Sequence, residues 1–209
     1  MMSLISILSF TAAMLVLAVT PGPGVFAVLG RALNSGFRKS LFLIAGIVTG
    51  DLIYLSFALS GLTWLAQNVN WIFTVIRIAG GLYLIYLGVK AFFSKPASSR
   101  TGEPCQDGEG RSPVACYGEG LIITLSNPKV ILFYCSFLPA FIDLGSISGR
   151  GILIIACIVC ATLSLVMTAY SLLAVQTGRK VQSQKGIRNL NRTSGGLMAA
   201  AGTVLILKH

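Results

Sequence analysis

Lys129 is the residue whose place in the sequence most needs a chemical reason. It sits in "GLIITLSNPKVILFYCSFLPAF", residues 120 to 141, which is apolar enough for a membrane yet carries "SNPK" at its centre. It lies roughly 11 residues into its apolar block, ~16 Å at 1.5 Å per residue, near the middle of a ~30 Å hydrocarbon core. A lysine at that depth costs about 2.5–3.5 kcal/mol on insertion scales, so its ammonium is expected to face a cavity or a partner. The plain alternative is a short span with Lys129 at its edge. Pro128 beside it removes a backbone donor and breaks the helix. In lipid the carbonyl so freed must find another donor, and Asn127 adds a polar side chain at the same point.

A second break, "AVTPGPGVF" at residues 18 to 26, interrupts the first apolar block. Pro21 and Pro23 stop the helix, and Gly22 and Gly24 are expected to take backbone angles closed to other residues. Aligning "GPGVF" with "NPKVI" sets Pro23 opposite Pro128. Either motif alone reads plainly as a kink, but two in corresponding places suggest half-helix ends around a central site. Such ends can hold a carboxylate or an ammonium. The third feature is Asp51 in "GIVTGDLIY", the one acid well inside an apolar block. Glu119 and Asp143 fall at block ends, where interfacial exposure explains them. Asp51 is a functional candidate by its depth, and three roles are open to it: carrying a coupling proton, binding a substrate ammonium, or neutralising Lys129.

These residues need a frame of membrane helices. Of the 209 residues, 55% are hydrophobic and only 11% charged, against about 25% charged in ordinary soluble domains. One small core cannot hide that excess. Six apolar blocks run approximately over Leu4–Leu29, Ser40–Leu65, Trp71–Phe93, Gly118–Ile142, Gly151–Val175 and Arg192–Leu207. The last is short: a tilted span, a re-entrant piece or a helix sheltered by neighbours. The first has no basic n-region and no small-residue cleavage site, so it is expected to be a retained span. The fold expected is all-α and polytopic: about six transmembrane helices, as two inverted three-helix repeats with helices one and four broken. The chain is read as a single membrane domain over 1–209. Repeat one covers about 1–93, a cytoplasmic linker rich in Ser, Pro, Gly and charge covers 94–116, and repeat two covers about 117–209.

The net charge of +10 would suggest nucleic acid in a soluble protein, but its placement argues otherwise. Twelve of the sixteen Lys and Arg fall in or beside loops 1–2, 3–4 and 5–6. The positive-inside rule puts those loops in the cytoplasm and both termini outside. Trp64 and Trp71 flank loop 2–3, as interfacial tryptophans do. Gly46 and Gly50 form a close-packing G-x-x-x-G face beside Asp51, and Gly81 and Gly88 share a face of the third block. Tyr83 and Tyr86 bring hydroxyls that need partners when buried. Packing is the simpler role for them, and lining a cavity is open to Tyr83. Cys157 and Cys160 form C-x-x-C within one apolar helix, where the spacing reads as helix packing before redox chemistry.

Together the ordered motifs "TPGPG", "GIVTGD", "GGLYLIYLGVKA" and "GLIITLSNPKVILFYCSFLPAF", with a weaker echo in "NRTSGGLMAAAG", resemble the LysE/RhtB family of bacterial amino-acid exporters. The resemblance covers nearly the whole chain. It implies a multi-pass exporter in the bacterial cytoplasmic (inner) membrane, driven by the proton gradient. It carries signature positions onto Pro21, Gly22, Pro23, Gly24, Asp51, Asn127, Pro128 and Lys129. The expectation is therefore a secondary transporter working by alternating access, not an enzyme. Its partners would be a small-molecule substrate of amino-acid type, protons and lipid, with no cofactor, no metal and no nucleic acid; a homodimer is open. A metal-cation exporter would want a Cys or His cluster within the spans, whereas the one histidine is His209. A thiol–disulfide electron carrier would want cysteines that meet across the halves, and the first block has none. No Walker-type phosphate loop is present for an ATP-driven pump.

Overall fold

The computed structural model describes residues 4–68, 70–93, 112–142, 147–177 and 184–207. The linker region from 94 to 111, with Cys105, lies outside them, as do Asp143, His209 and the side chains of Trp64 and Trp71. The described chain forms eight helices: α1 (Leu4–Val19), α2 (Pro23–Ser35), α3 (Phe37–Asn68), α4 (Asn70–Phe93), α5 (Pro113–Leu125), α6 (Pro128–Phe141), α7 (Gly149–Thr177) and α8 (Gln184–Leu207). There is no strand among the described residues. The first and fourth apolar blocks are the broken ones. α1 and α2 meet at 55°, α5 and α6 at 59°.

Each break has a local cause. Pro23 and Pro128 both stand at the start of a helix, where a missing N–H costs nothing. The glycine expectation needs correcting. Gly22 is extended at φ −158° and Gly24 is helical, so neither uses an angle barred to other residues. Nor does space demand glycine at either: a Cβ on Gly22 would lie 3.7 Å from the Lys129 ammonium, and one on Gly24 3.5 Å from Ile47, both ordinary contact distances. Among the described residues the glycine with positive φ is Gly36, at +83°, in the turn from α2 to α3.

α3 and α7 are long and apolar enough to cross a membrane, and each bent pair passes the same test as one unit, giving up to four spans by length and composition. α4 and α8, at 24 residues each, would be ~36 Å long; α4 is apolar along most of its length, whereas α8 opens on a polar third. α8 is a continuous helix that begins eight residues before the expected block, because polar "QKGIRNLN" simply extends it. It packs along α4, the sheltered arrangement among the three foreseen. The last residues of the expected linker, Pro113 to Cys116, are already the first turn of α5. Ser112 caps that turn through its hydroxyl, which accepts from the Ala115 N–H.

Glycine decides which helices approach closely. A Cβ on Gly46 would overlap the Tyr117 carbonyl, and one on Gly120 the Leu43 carbonyl, so α3 and α5 lie backbone to backbone. In α4 and α8, Gly88 faces Gly195 and Gly81 faces Gly202; a Cβ on Gly88 would come within 2.6 Å of the Gly195 oxygen. These are small-residue helix interfaces of the kind that membranes favour. The core is built mainly from α1, α2, α3, α6 and α7. Large apolar side chains including Phe57, Leu82, Phe93, Leu153 and Leu165 are exposed, as a surface solvated by lipid tails allows.

Candidate functional site

The two breaks come together at one cavity. Its polar lining is Thr20, Asp51, Thr124, Asn127 and Lys129, with Gly22 and Gly24; Leu17, Ile47, Val130, Leu163 and Met167 are among its apolar walls. It offers about 30 Å³ to water centres. That is room for roughly two waters at ~10–15 Å³ each on this measure, and too little for an amino acid.

Lys129 reaches across from α6 to the end of α1. Its Nζ donates to the carbonyl oxygens of Leu17 and Thr20, each at 2.9 Å. The last carbonyls of a helix have no intrahelical donor and carry its negative dipole end, so an ammonium there is doubly favoured. The same helix end draws on two other donors. The N–H and hydroxyl of Thr20 donate to Val16 O at 3.1 and 2.5 Å. Tyr170, from α7, donates its hydroxyl to Val19 O at 2.8 Å. The end of α5 is held in a corresponding way. Tyr54, from α3, donates to Leu125 O, and the Asn127 N–H donates to Thr124 O at 3.0 Å. One tyrosine from each long helix thus closes the last residue of each first half-helix.

The two helix beginnings differ. Asn127 caps α6, its side-chain oxygen accepting from the Lys129 N–H at 3.1 Å. α2 begins at Gly22 and Pro23 with no side-chain cap, and its first turn lines the cavity through Gly24 and Val25. A positive helix end therefore faces the cavity there.

Asp51 is buried on α3 and accepts from the Tyr134 hydroxyl at 3.1 Å. It shares the cavity with Lys129, but the two make no ion pair within 4.0 Å. The ion pair seen among the described residues joins Arg31 on α2 to Glu119 on α5. Arg31 is buried and Glu119 largely so. Glu119 is thus an interhelical partner, more than the interfacial carboxylate its place at a block end suggested. The breaks divide the centre into two sides. On one, α2 packs on α5 through this pair; on the other, α1 packs on α6 through rings, Phe10 lying 6.4 Å from Phe133 and Phe133 stacking on Phe137 at 5.0 Å.

The sequence-derived residues Gly22, Gly24, Asp51, Asn127 and Lys129 all line the cavity. Pro21, Pro23 and Pro128 shape it by ending and starting helices. Tyr83 is not among the described lining: it lies on α4, which packs on α8 and α6, with its ring 6.1 Å from that of Tyr86. Thr20, Thr124, Tyr54, Tyr134 and Tyr170 were not singled out by sequence. The one signal available was that hydroxyls in apolar helices require partners. The four described cysteines are free, Cys157 exposed, and no cluster of three or more His, Cys, Asp or Glu occurs among the described residues.

Broken apolar helices around a buried polar cavity define a polytopic helical membrane protein of translocating type. The LysE type translocator family model matches residues 15–209, and the chain belongs to that family. It is 32% identical to an uncharacterized membrane protein of Synechocystis sp., over 97% of this chain and 96% of that one. It is 30% identical to a leucine efflux protein of Klebsiella pneumoniae, over 86% and 84% of the two chains. It is 27% identical to a threonine efflux protein of Escherichia coli K12, over 93% and 94%. No solved structure matches it. The family and the apolar helices make it a bacterial integral membrane protein.

Proposed function

We propose that the protein exports a neutral amino acid across the bacterial cytoplasmic membrane by alternating access, coupled to protons. The observation that carries this is the cavity where both helix breaks meet, holding one carboxylate, Asp51, and one ammonium, Lys129. A zwitterion is complementary to that pair. Its carboxylate suits Lys129 and the uncapped start of α2; its ammonium suits the end of α1 or Asp51. Ile47, Val130, Leu163 and Met167 offer apolar surface to an aliphatic side chain. A basic cargo would want a second acid, and Asp51 is the one acid among the described lining residues. The efflux relatives agree with this class of cargo.

The helix packing supports two inverted repeats, α1–α4 and α5–α8. Exchanging the halves turns the α1–α7 packing into α5–α3, α2–α7 into α6–α3, and α1–α6 into α5–α2, while α3–α7 and α4–α8 map onto themselves; all these pairs are in contact, though the packing of α4 on α6 and of α2 on α3 has no comparable counterpart among the described residues. Such a pair of halves can rock about a central site. The cavity is too small for cargo as it stands, so loading requires α2 and α5, or α1 and α6, to part. Asp51 takes up a proton from outside and resets the carrier. Each charge moved is worth about 2.3 kcal/mol per 100 mV, enough to drive efflux.

The test is efflux of a panel of labelled amino acids from cells expressing the chain, beside Lys129→Ala and Asp51→Asn. One substrate should leave the cells, and Lys129→Ala should abolish its efflux with normal membrane insertion. Asp51→Asn should remove the dependence of efflux on external pH. Efflux that survives Lys129→Ala removes the lysine from the mechanism; an unchanged pH profile in Asp51→Asn removes the proton role.

A further inference from the structure

We infer that the carbonyl oxygens of Leu17 and Thr20 are the ammonium site for cargo. Lys129 is its resident occupant, displaced only by a ligand carrying both an ammonium and a carboxylate. This rests on the reading of the central cavity as the cargo site. The geometry is that of a bound primary ammonium: Nζ lies 2.9 Å from each oxygen, at a helix end whose dipole favours cations. The site lines the cavity from which cargo would reach it. Lys129 and an amino-acid ammonium offer the same three donors, so one replaces the other bond for bond.

Charge decides what can make the exchange. With Lys129 in place, the cavity holds one cation and one carboxylate, Asp51. A simple amine would add a second cation in a medium of low dielectric, where an unpaired charge is costly. A simple carboxylate could take the third Nζ donor without moving Lys129, but it would add a second anion beside Asp51 in the same medium. A zwitterion meets both needs at once: its ammonium takes the carbonyls, its carboxylate takes the released Lys129, and the net charge is unchanged. The lysine thereby rejects amines and carboxylic acids that have the same side chain as cargo.

The test is calorimetric binding to the full chain in lipid nanodiscs, with L-leucine, 3-methylbutylamine and 4-methylpentanoate as probes, for wild type and Lys129→Met. Wild type should bind leucine and neither fragment. Lys129→Met, whose side chain fills similar space without charge, should bind the amine at least ten-fold more tightly than wild type does. A folded Lys129→Met with no gain for the amine, or a wild type that binds the amine as well as leucine, overturns the proposal. Should Lys129→Met not fold, the wild type still decides. Thr20–Pro21 is the one Thr–Pro pair in the chain, so paired 13C and 15N labels isolate the Thr20 carbonyl for solid-state NMR. Without ligand that carbon should couple to a lysine Nζ; with 15N-leucine it should couple to the ligand. Persistence of the lysine coupling with leucine bound overturns the proposal. Failure of every amino acid to bind would sink the cargo reading alone, because the amine arm tests the carbonyl site by itself.

Discussion

At the scale of the residue, the hydroxyls of Tyr170 and Tyr54 hold the broken helices. Each donates to the last carbonyl of a half-helix, Val19 and Leu125 respectively, where the chain runs into Pro23 or Pro128, which has no N–H to donate. Removing the hydroxyl leaves a part-buried acceptor bare where lipid offers no donor, which costs about 1–3 kcal/mol. Tyr170→Phe and Tyr54→Phe should each lower stability by that order in detergent unfolding. Ser56→Ala, on the exposed face of α3 and bonded only within its own helix at 2.8 Å, should change it by less than about 0.5 kcal/mol. Equal effects from all three would show that the tyrosines do not secure the breaks. Lys129, Asp51 and the prolines were legible in the sequence because each is wrong for lipid where it stands. The tyrosines were not. Their partners lie 71 and 151 residues away, and an amphipathic ring in a membrane helix gives no sign of which carbonyl it will meet.

At the scale of the element, glycine sets how closely helices run, and not every glycine counts. Gly120 and Gly118 lie one turn-fraction apart on α5. A Cβ on Gly120 would overlap the Leu43 carbonyl of α3, a backbone atom that cannot turn aside; one on Gly118 meets nothing within 4 Å. Gly120→Ala should therefore cost about 1–3 kcal/mol or more through overpacking. Gly118→Ala should be neutral, or stabilising by roughly 0.5–1 kcal/mol through helix propensity. Comparable unfolding midpoints for the two would mean that α3 and α5 are not in this close contact. The sequence marked Gly46, Gly50, Gly81 and Gly88 as packing faces, since spacing along one helix is local information. It did not mark Gly120, Gly195 and Gly202 as their partners, since pairing depends on which helices the fold sets side by side. The same limit applies to α8, whose polar first third hides a helix that α4 shelters.

At the scale of the whole molecule, the basic residues and the packing agree on which ends lie together. Ser40, near the start of α3, shares a hydrogen bond of 2.5 Å with Ser171, near the end of α7. Gly46 of α3 meets Tyr117 in the first half of α5. The α2–α3 turn, the start of α5 and the end of α7 therefore form one end of the protein, and they adjoin the loops where most of the positive charge falls. Arg31 and Glu119 pair on that same side of the breaks, while the ring stack of Phe10, Phe133 and Phe137 closes the other. By the positive-inside rule the basic end is expected in the cytoplasm. Single cysteines in a cysteine-free background test this without altering charge. Asn34→Cys, exposed on α2 at the basic end, should resist an impermeant thiol reagent in intact cells and react once the membrane is opened. Ser148→Cys, exposed just before α7 at the opposite end, should react in intact cells. The reverse pattern would invert the protein. Cargo released from the cytoplasm would then have to enter past the aromatic stack, and the ion pair between α2 and α5 would guard the exit.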